Sequence, residues 1–197
     1  VQARLGKIYV DKNENKKAKV ALEKAIKLNP KDAQSHYQLG KLVSGEGKWG
    51  RAQSLLSNAI SLDARHAYSY YELGVVLLAR KKVDSARDEF QKALDLEPKN
   101  SEFIMGLVLA LVEKKKLDES LELLLSINKS EKDNPKVFFA LCNVYTKKGY
   151  FTVATGYCEK SLELDNNNFI TMNRLAWLYA KKKIKLEKAF KLSSQTL

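Results

Sequence analysis

The chain has 197 residues, 45% of them hydrophobic and 29% charged, with three prolines and a formal net charge of +12. This composition belongs to a folded, helix-rich protein and excludes a disordered one, and no apolar run approaches the ~18 residues of a membrane span. Two cysteines are too few for a disulfide framework.

Taken in chain order, the elements repeat. The first begins at Val1, already inside a helical pattern and without an initiator methionine or a secretory leader. A fragment of a longer chain is therefore expected, and the compartment stays open, with a lean to the cytoplasm. Leu5 starts a series, Leu39, Leu73, Leu107, Leu141 and Leu175, in which each leucine follows the last by 34 residues. The next residue is Gly6, Gly40, Gly74, Val108, Cys142 or Ala176, and Tyr9, Val43, Leu77, Leu111, Tyr145 and Tyr179 follow in step. Later in each period come Ala18, Ala52, Ala86, Ser120 and Ala154, then Ala25, Ala59 and Ala93 before Ile127 and Ser161. Apolar residues recur at three- and four-residue spacing, as in Leu73, Val76, Leu77 and then Ala86, Phe90, Ala93, Leu94, which predicts two amphipathic helices of about 13 residues per period. Small slots let two helix backbones approach closely while large side chains interdigitate around them. Each period thus reads as a helical hairpin.

The punctuation agrees. Gly47 and Gly149 suit the turn inside a hairpin, and Pro30 and Pro98 fall where one hairpin gives way to the next. Asp32, Asn100, Asn134 and Asn168 are expected N-caps of first helices, with Pro135 at a first helical position. The last period needs one extra residue between Lys181 and Ile184 to bring Ala189 into register.

This pattern resembles the tetratricopeptide repeat (TPR) family, most clearly in Tyr70, Leu73, Gly74, Leu77, Ala86, Phe90, Ala93 and Pro98, and in His36, Leu39, Gly40, Trp49, Ala52 and Ala59. The resemblance covers the whole chain. It implies an all-α, right-handed superhelical solenoid of antiparallel helix pairs: one domain, 1–197, of six repeats at approximately 1–32, 33–66, 67–100, 101–134, 135–168 and 169–197. Val108 and Ile127 replace small residues in the fourth, whose hairpin is expected to splay.

The same resemblance implies a scaffold or adaptor rather than an enzyme, with no cofactor, whose first helices line a concave groove for a peptide or helical segment of a partner protein. The face positions it selects are Tyr37 and Lys41, then Tyr68, Tyr71, Val75 and Leu78, then Met105, Leu109 and Val112, then Phe139 and Asn143, and last Asn173 and Trp177. Tyr71, Leu109, Phe139 and Trp177 are the expected anchors, although packing between repeats also claims residues of this kind. Some family members clamp a partner's C-terminal carboxylate with paired lysine and asparagine; Ala3, Lys7, Tyr37, Gln38, Lys41, Tyr71, Glu72 and Val75 do not offer that set.

Catalysis lacks its parts. No serine, cysteine or carboxylate joins His36 or His66 in a nucleophile, metal or phosphate-loop motif. His36 takes the slot of Tyr70, Ile104 and Phe138 and is expected to pack; His66 is expected in a turn. Cys142 and Cys158 fall in helix interiors, one in a glycine slot and one in a large-residue slot, and are expected as buried, reduced thiols.

The positive charge gathers in the turns inside hairpins, at Lys12, Lys48, Arg80 to Lys82, Lys114 to Lys116, Lys147, Lys148 and Lys181 to Lys183. Lysines there complement helix dipoles, and the alternative function is binding of an anionic polymer or membrane surface through this edge. Nucleic acid is not the expected partner, because the 34-residue register and alanine slots favour the protein-binding class; a membrane surface is compatible but not required. The last repeat closes on Ala189, Phe190 and Leu192, so a cover is expected: chain beyond Leu197, or self-association through terminal repeats.

Overall fold

The computed structural model describes residues 1–194. Its elements are α1 (Gln2–Asp11), α2 (Asn15–Leu28), α3 (Ala33–Gly45), α4 (Trp49–Leu62), α5 (Ala67–Ala79), α6 (Val83–Leu96), α7 (Ser101–Glu113), α8 (Leu117–Ser130), α9 (Pro135–Lys147), α10 (Phe151–Leu164), α11 (Phe169–Lys182) and α12 (Leu186–Ser194). Among the described residues there is no strand, so the fold is the all-α helical repeat expected. Odd-numbered helices are the first of each period and even-numbered helices the second. Two compact units emerge, Val1–Ala110 and Leu111–Leu197, with the division inside α7. The expected cover beyond Leu197 lies outside the described residues.

Close approach of paired helices shapes each unit. In the first, a Cβ placed on Gly74 would lie 2.6 Å from the Phe90 ring, so only glycine admits the fully buried Phe90 between α5 and α6. Leu22, Leu39, Val43, Leu56 and Phe103 are likewise sealed. In the second unit, Leu175, Leu178, Tyr179, Ala189 and Leu192 of α11 and α12 join Ala154 and the two cysteines in one cluster.

The cysteines require a correction. Both are fully buried as expected, but they are not reduced: Cys142 and Cys158 form a disulfide, with their Cα atoms 5.4 Å apart. Register explains the pairing. Cys142 and Cys158 stand where Gly74 and Phe90 stand two periods earlier, a pair so close that a Cβ on Gly74 would lie 2.6 Å from the Phe90 ring. Two medium-sized side chains there face each other at bonding distance.

Each hairpin turns through the same backbone motif. Asn13, Gly47, Lys81, Lys115, Gly149 and Lys183, one per period, adopt φ between 55° and 82°. The N–H of the residue after each donates back to the large apolar slot, as in Lys82 to Leu77 (2.9 Å), Lys116 to Leu111 (2.9 Å) and Ile184 to Tyr179 (3.0 Å). The left-handed residue itself donates one turn back, as in Lys81 to Leu78 (2.9 Å). Two bonds of this pattern satisfy carbonyls that a helix end leaves open. The motif stays in register through Ile184, so the extra residue of the last period is Lys185, also at positive φ, and not one between Lys181 and Ile184.

The first helices start as the sequence suggests, with one variation. Asn100, Asn134 and Asn168 accept backbone N–H groups of their first turns, whereas Asp32 accepts the Ser35 hydroxyl at 2.6 Å. His36 is buried and its Nε2 meets the Pro30 carbonyl oxygen at 2.9 Å, tying α3 to the preceding connection. His66 precedes α5 at the N-cap position without a side-chain bond to its backbone, and its Nδ1 lies 2.8 Å from Ser69 Oγ.

Two outcomes follow. Left-handed φ is uncomfortable for a side chain with a Cβ, so Lys81→Gly and Lys115→Gly are each expected to raise stability by about 0.5–1 kcal/mol, and Gly149→Ala to lower it by about 1 kcal/mol. Thermal or urea melting of the single variants measures this. The disulfide closes a loop of sequence separation 16, so melting with and without a reductant should differ by about 3 kcal/mol of stability.

Candidate functional site

The first helices carry the candidate residues in columns set by the repeat. Tyr37, Tyr71, Met105, Phe139 and Asn173 share one register; Lys41, Val75, Leu109, Asn143 and Trp177 share the next, one turn on. Each unit presents its own part of them.

In the first unit the column is closed at one end and open at the other. Tyr37 is only 7% exposed, its ring 4.6 Å from that of His66. One turn later Lys41 crosses to α5, with Nζ 2.8 Å from Oε1 of the buried Glu72. Burial disfavours the ammonium, but the Glu72 carboxylate outweighs it and holds the Lys41 pKa above its ordinary value. Tyr71 is half-buried, stacked on Phe103 at 5.2 Å and tilted against Phe90 at 5.6 Å. Tyr68 meets Phe103 edge-on at 4.9 Å, and Asn100 Nδ2 donates to its hydroxyl at 3.5 Å. Val75, Leu78 and Met105 are half-buried, while Leu109 is 56% exposed. Tyr71 thus spends much of its ring on internal packing, and Leu109, with Tyr68 at 37% exposure, is left open.

In the second unit Val112, Phe139 and Asn143 are half-buried and Asn173 is exposed. Phe139 packs against the core cluster. Trp177 is 45% exposed and lies edge-on to Phe151 at 6.0 Å. Asn143 Oδ1 is buried without a hydrogen-bond partner. Sequence reasoning missed Phe169 and Ile170, which are 57% and 69% exposed at the start of α11. The signal was available: Ile170 sits in the register of Tyr68, and Phe169 lies one turn before Asn173.

The lysine-rich turns reach back to the second helix of the preceding hairpin. Lys182 Nζ donates to Thr152 Oγ1 at 3.0 Å, Lys148 pairs with Asp118, and Arg80 donates to Gln53. Part of the basic edge is therefore a set of tethers within each unit. Among the described residues no group of His, Cys, Asp and Glu is placed to hold a metal ion, and no helix is long and apolar enough to cross a membrane.

The Tyr71 phenol is pushed up from 10.0 to about 12, first by burial, then by the nearby Glu102 and Glu72 carboxylates, with Lys41 opposing. The folded chain holds this proton more tightly than the unfolded one. The associated stability is complete below pH 10 and is lost as pH rises towards 12. Tyr71→Phe should flatten the stability profile across that window, as measured by denaturant melting at stepped pH.

Comparison with known proteins adds the following. A TPR repeat model matches residues 6–47, and tetratricopeptide repeat models match residues 37–101 and 77–142. No curated protein is matched by the sequence. PilW, a widely conserved type IV pilus biogenesis factor, superposes with a TM-score of 0.88 at 16% identity, over 98% of this chain and 90% of its own. PilF of Pseudomonas aeruginosa gives 0.81 at 21% identity, over 98% and 88%. YrrB, a TPR protein with an unusual peptide-binding site, gives 0.65 at 24% identity, over 89% and 90%. At these identities the likeness is one of fold.

Proposed function

The chain belongs to the tetratricopeptide repeat family, and we propose from this that it is a protein-interaction scaffold whose first-helix faces hold a peptide or helical segment of a partner. The observation that carries the reading is apolar surface left over from packing in the face columns, chiefly Leu109 in the first unit and Trp177 with Ile170 in the second. Large apolar side chains cost free energy in water, and their clustering on one face is characteristic of interaction surfaces. The peptide-binding site of the similarly folded YrrB supports the same reading. The chain acts by binding, and partner specificity resides in which face positions are apolar, aromatic or charged.

The turn lysines are secondary in this account, since exposed charges are screened and individually weak. The test is a titration of peptides selected from a displayed random library on the immobilised chain. Leu109→Ala or Trp177→Ala should weaken their binding by about 1–2 kcal/mol with helical content unchanged. Replacing Lys114, Lys115 and Lys116 by glutamine should change little. The reverse ranking, with affinity falling steeply as salt is added, would sink the reading in favour of an anionic ligand on the basic edge.

A further inference from the structure

One pair of positions joins α3 to α5 and recurs in the sequence with the repeat. On α3 and α5 it is occupied by Lys41 and Glu72, whose charges cancel within the chain at 2.8 Å. The same register three periods later places Asn143 on α9 and Arg174 on α11. Here nothing cancels. Neither α9 nor α11 contains an aspartate or glutamate, and among the described residues Arg174, itself half-buried, has no acidic partner. Asn143 Oδ1 is buried without a donor. A partly buried cation without a counter-charge costs free energy that a ligand can relieve.

The neighbours on the same helices point to the kind of ligand. Trp177 and Ile170, both exposed, lie one turn after and one turn before Arg174 on α11. Lys136, two turns before Asn143 on α9, adds a second exposed cation.

We propose that the Asn143–Arg174 position is a subsite for a side-chain carboxylate of an acidic, apolar partner segment, whose hydrophobic residues rest on Trp177 and Ile170. The proposal rests on the scaffold reading and gives the partner a chemistry. A guanidinium takes a carboxylate through two parallel N–H donors. A free C-terminus is not required.

The experiment uses a random peptide library displayed internally, without free C-termini, selected on the whole chain. Recovered peptides should be rich in aspartate and glutamate beside aromatic or aliphatic residues. A recovered peptide, synthesised with an amidated C-terminus, should bind at least about tenfold more tightly than its Gln/Asn counterpart. Arg174→Gln should abolish that ratio, Arg174→Lys should keep part of it, and Trp177→Ala should weaken acidic and neutral peptides alike. Melting of each variant checks that it is folded. Trp177-dependent binding without preference for acidic peptides, or a preference that survives Arg174→Gln, overturns the subsite and leaves the scaffold reading standing. Binding that depends on neither Trp177 nor Leu109 overturns both.

Discussion

The closeness of two helix backbones inside each hairpin is the constraint on which the structure depends. Where α5 meets α6, the absence of a single Cβ at Gly74 decides whether Phe90 can enter. Once that contact is made, Leu73 and Leu77 are carried into the seam and Ala86 and Ala93 close it from the other side, all largely buried. The opposite sides of the first helices are then turned away from their partners, which leaves Leu109 and Trp177 in water. An exposed face with apolar side chains is thus a by-product of how the core is closed.

This explains which parts of the fold are legible in the sequence. The leucine series and the small slots are read directly, because packing permits few residue types there. Glycines at 47 and 149 announce the hairpin turn, but Lys81, Lys115 and Lys183 take the same left-handed conformation with no compositional sign. Two backbone hydrogen bonds and the docking of the following helix impose it, and neither is a local property of lysine. The disulfide was half legible. Register places Cys142 and Cys158 in facing slots, yet counting cysteines treats a pair as unremarkable, and only the backbone separation reveals that the two sulfurs meet.

At the candidate site, register identifies columns but not exposure. Tyr37 and Tyr71 belong to the same column as Asn173, yet ring contacts with His66, Phe90 and Phe103 absorb the tyrosines. Those contacts come from neighbouring helices and depend on details of packing that a column of equivalent positions does not contain. Phe169 and Ile170 escaped for the converse reason, since a choice of one or two positions per turn passes over the first turn of α11. The Lys41–Glu72 pair joins two helices, and the same register three periods later holds Asn143 and Arg174.

The disulfide also gives one hairpin a mechanical character that the others lack. A pull transmitted along the polypeptide would cross from α9 to α10 through the sulfur atoms, bypassing the turn between Cys142 and Cys158. A separation of 16 residues, at roughly 3.3–3.6 Å per extended residue, is length the chain could not yield under tension while oxidised. The other hairpins can be drawn out through their turns; this one would remain a loop, with its turn unloaded even after the surrounding helices had parted.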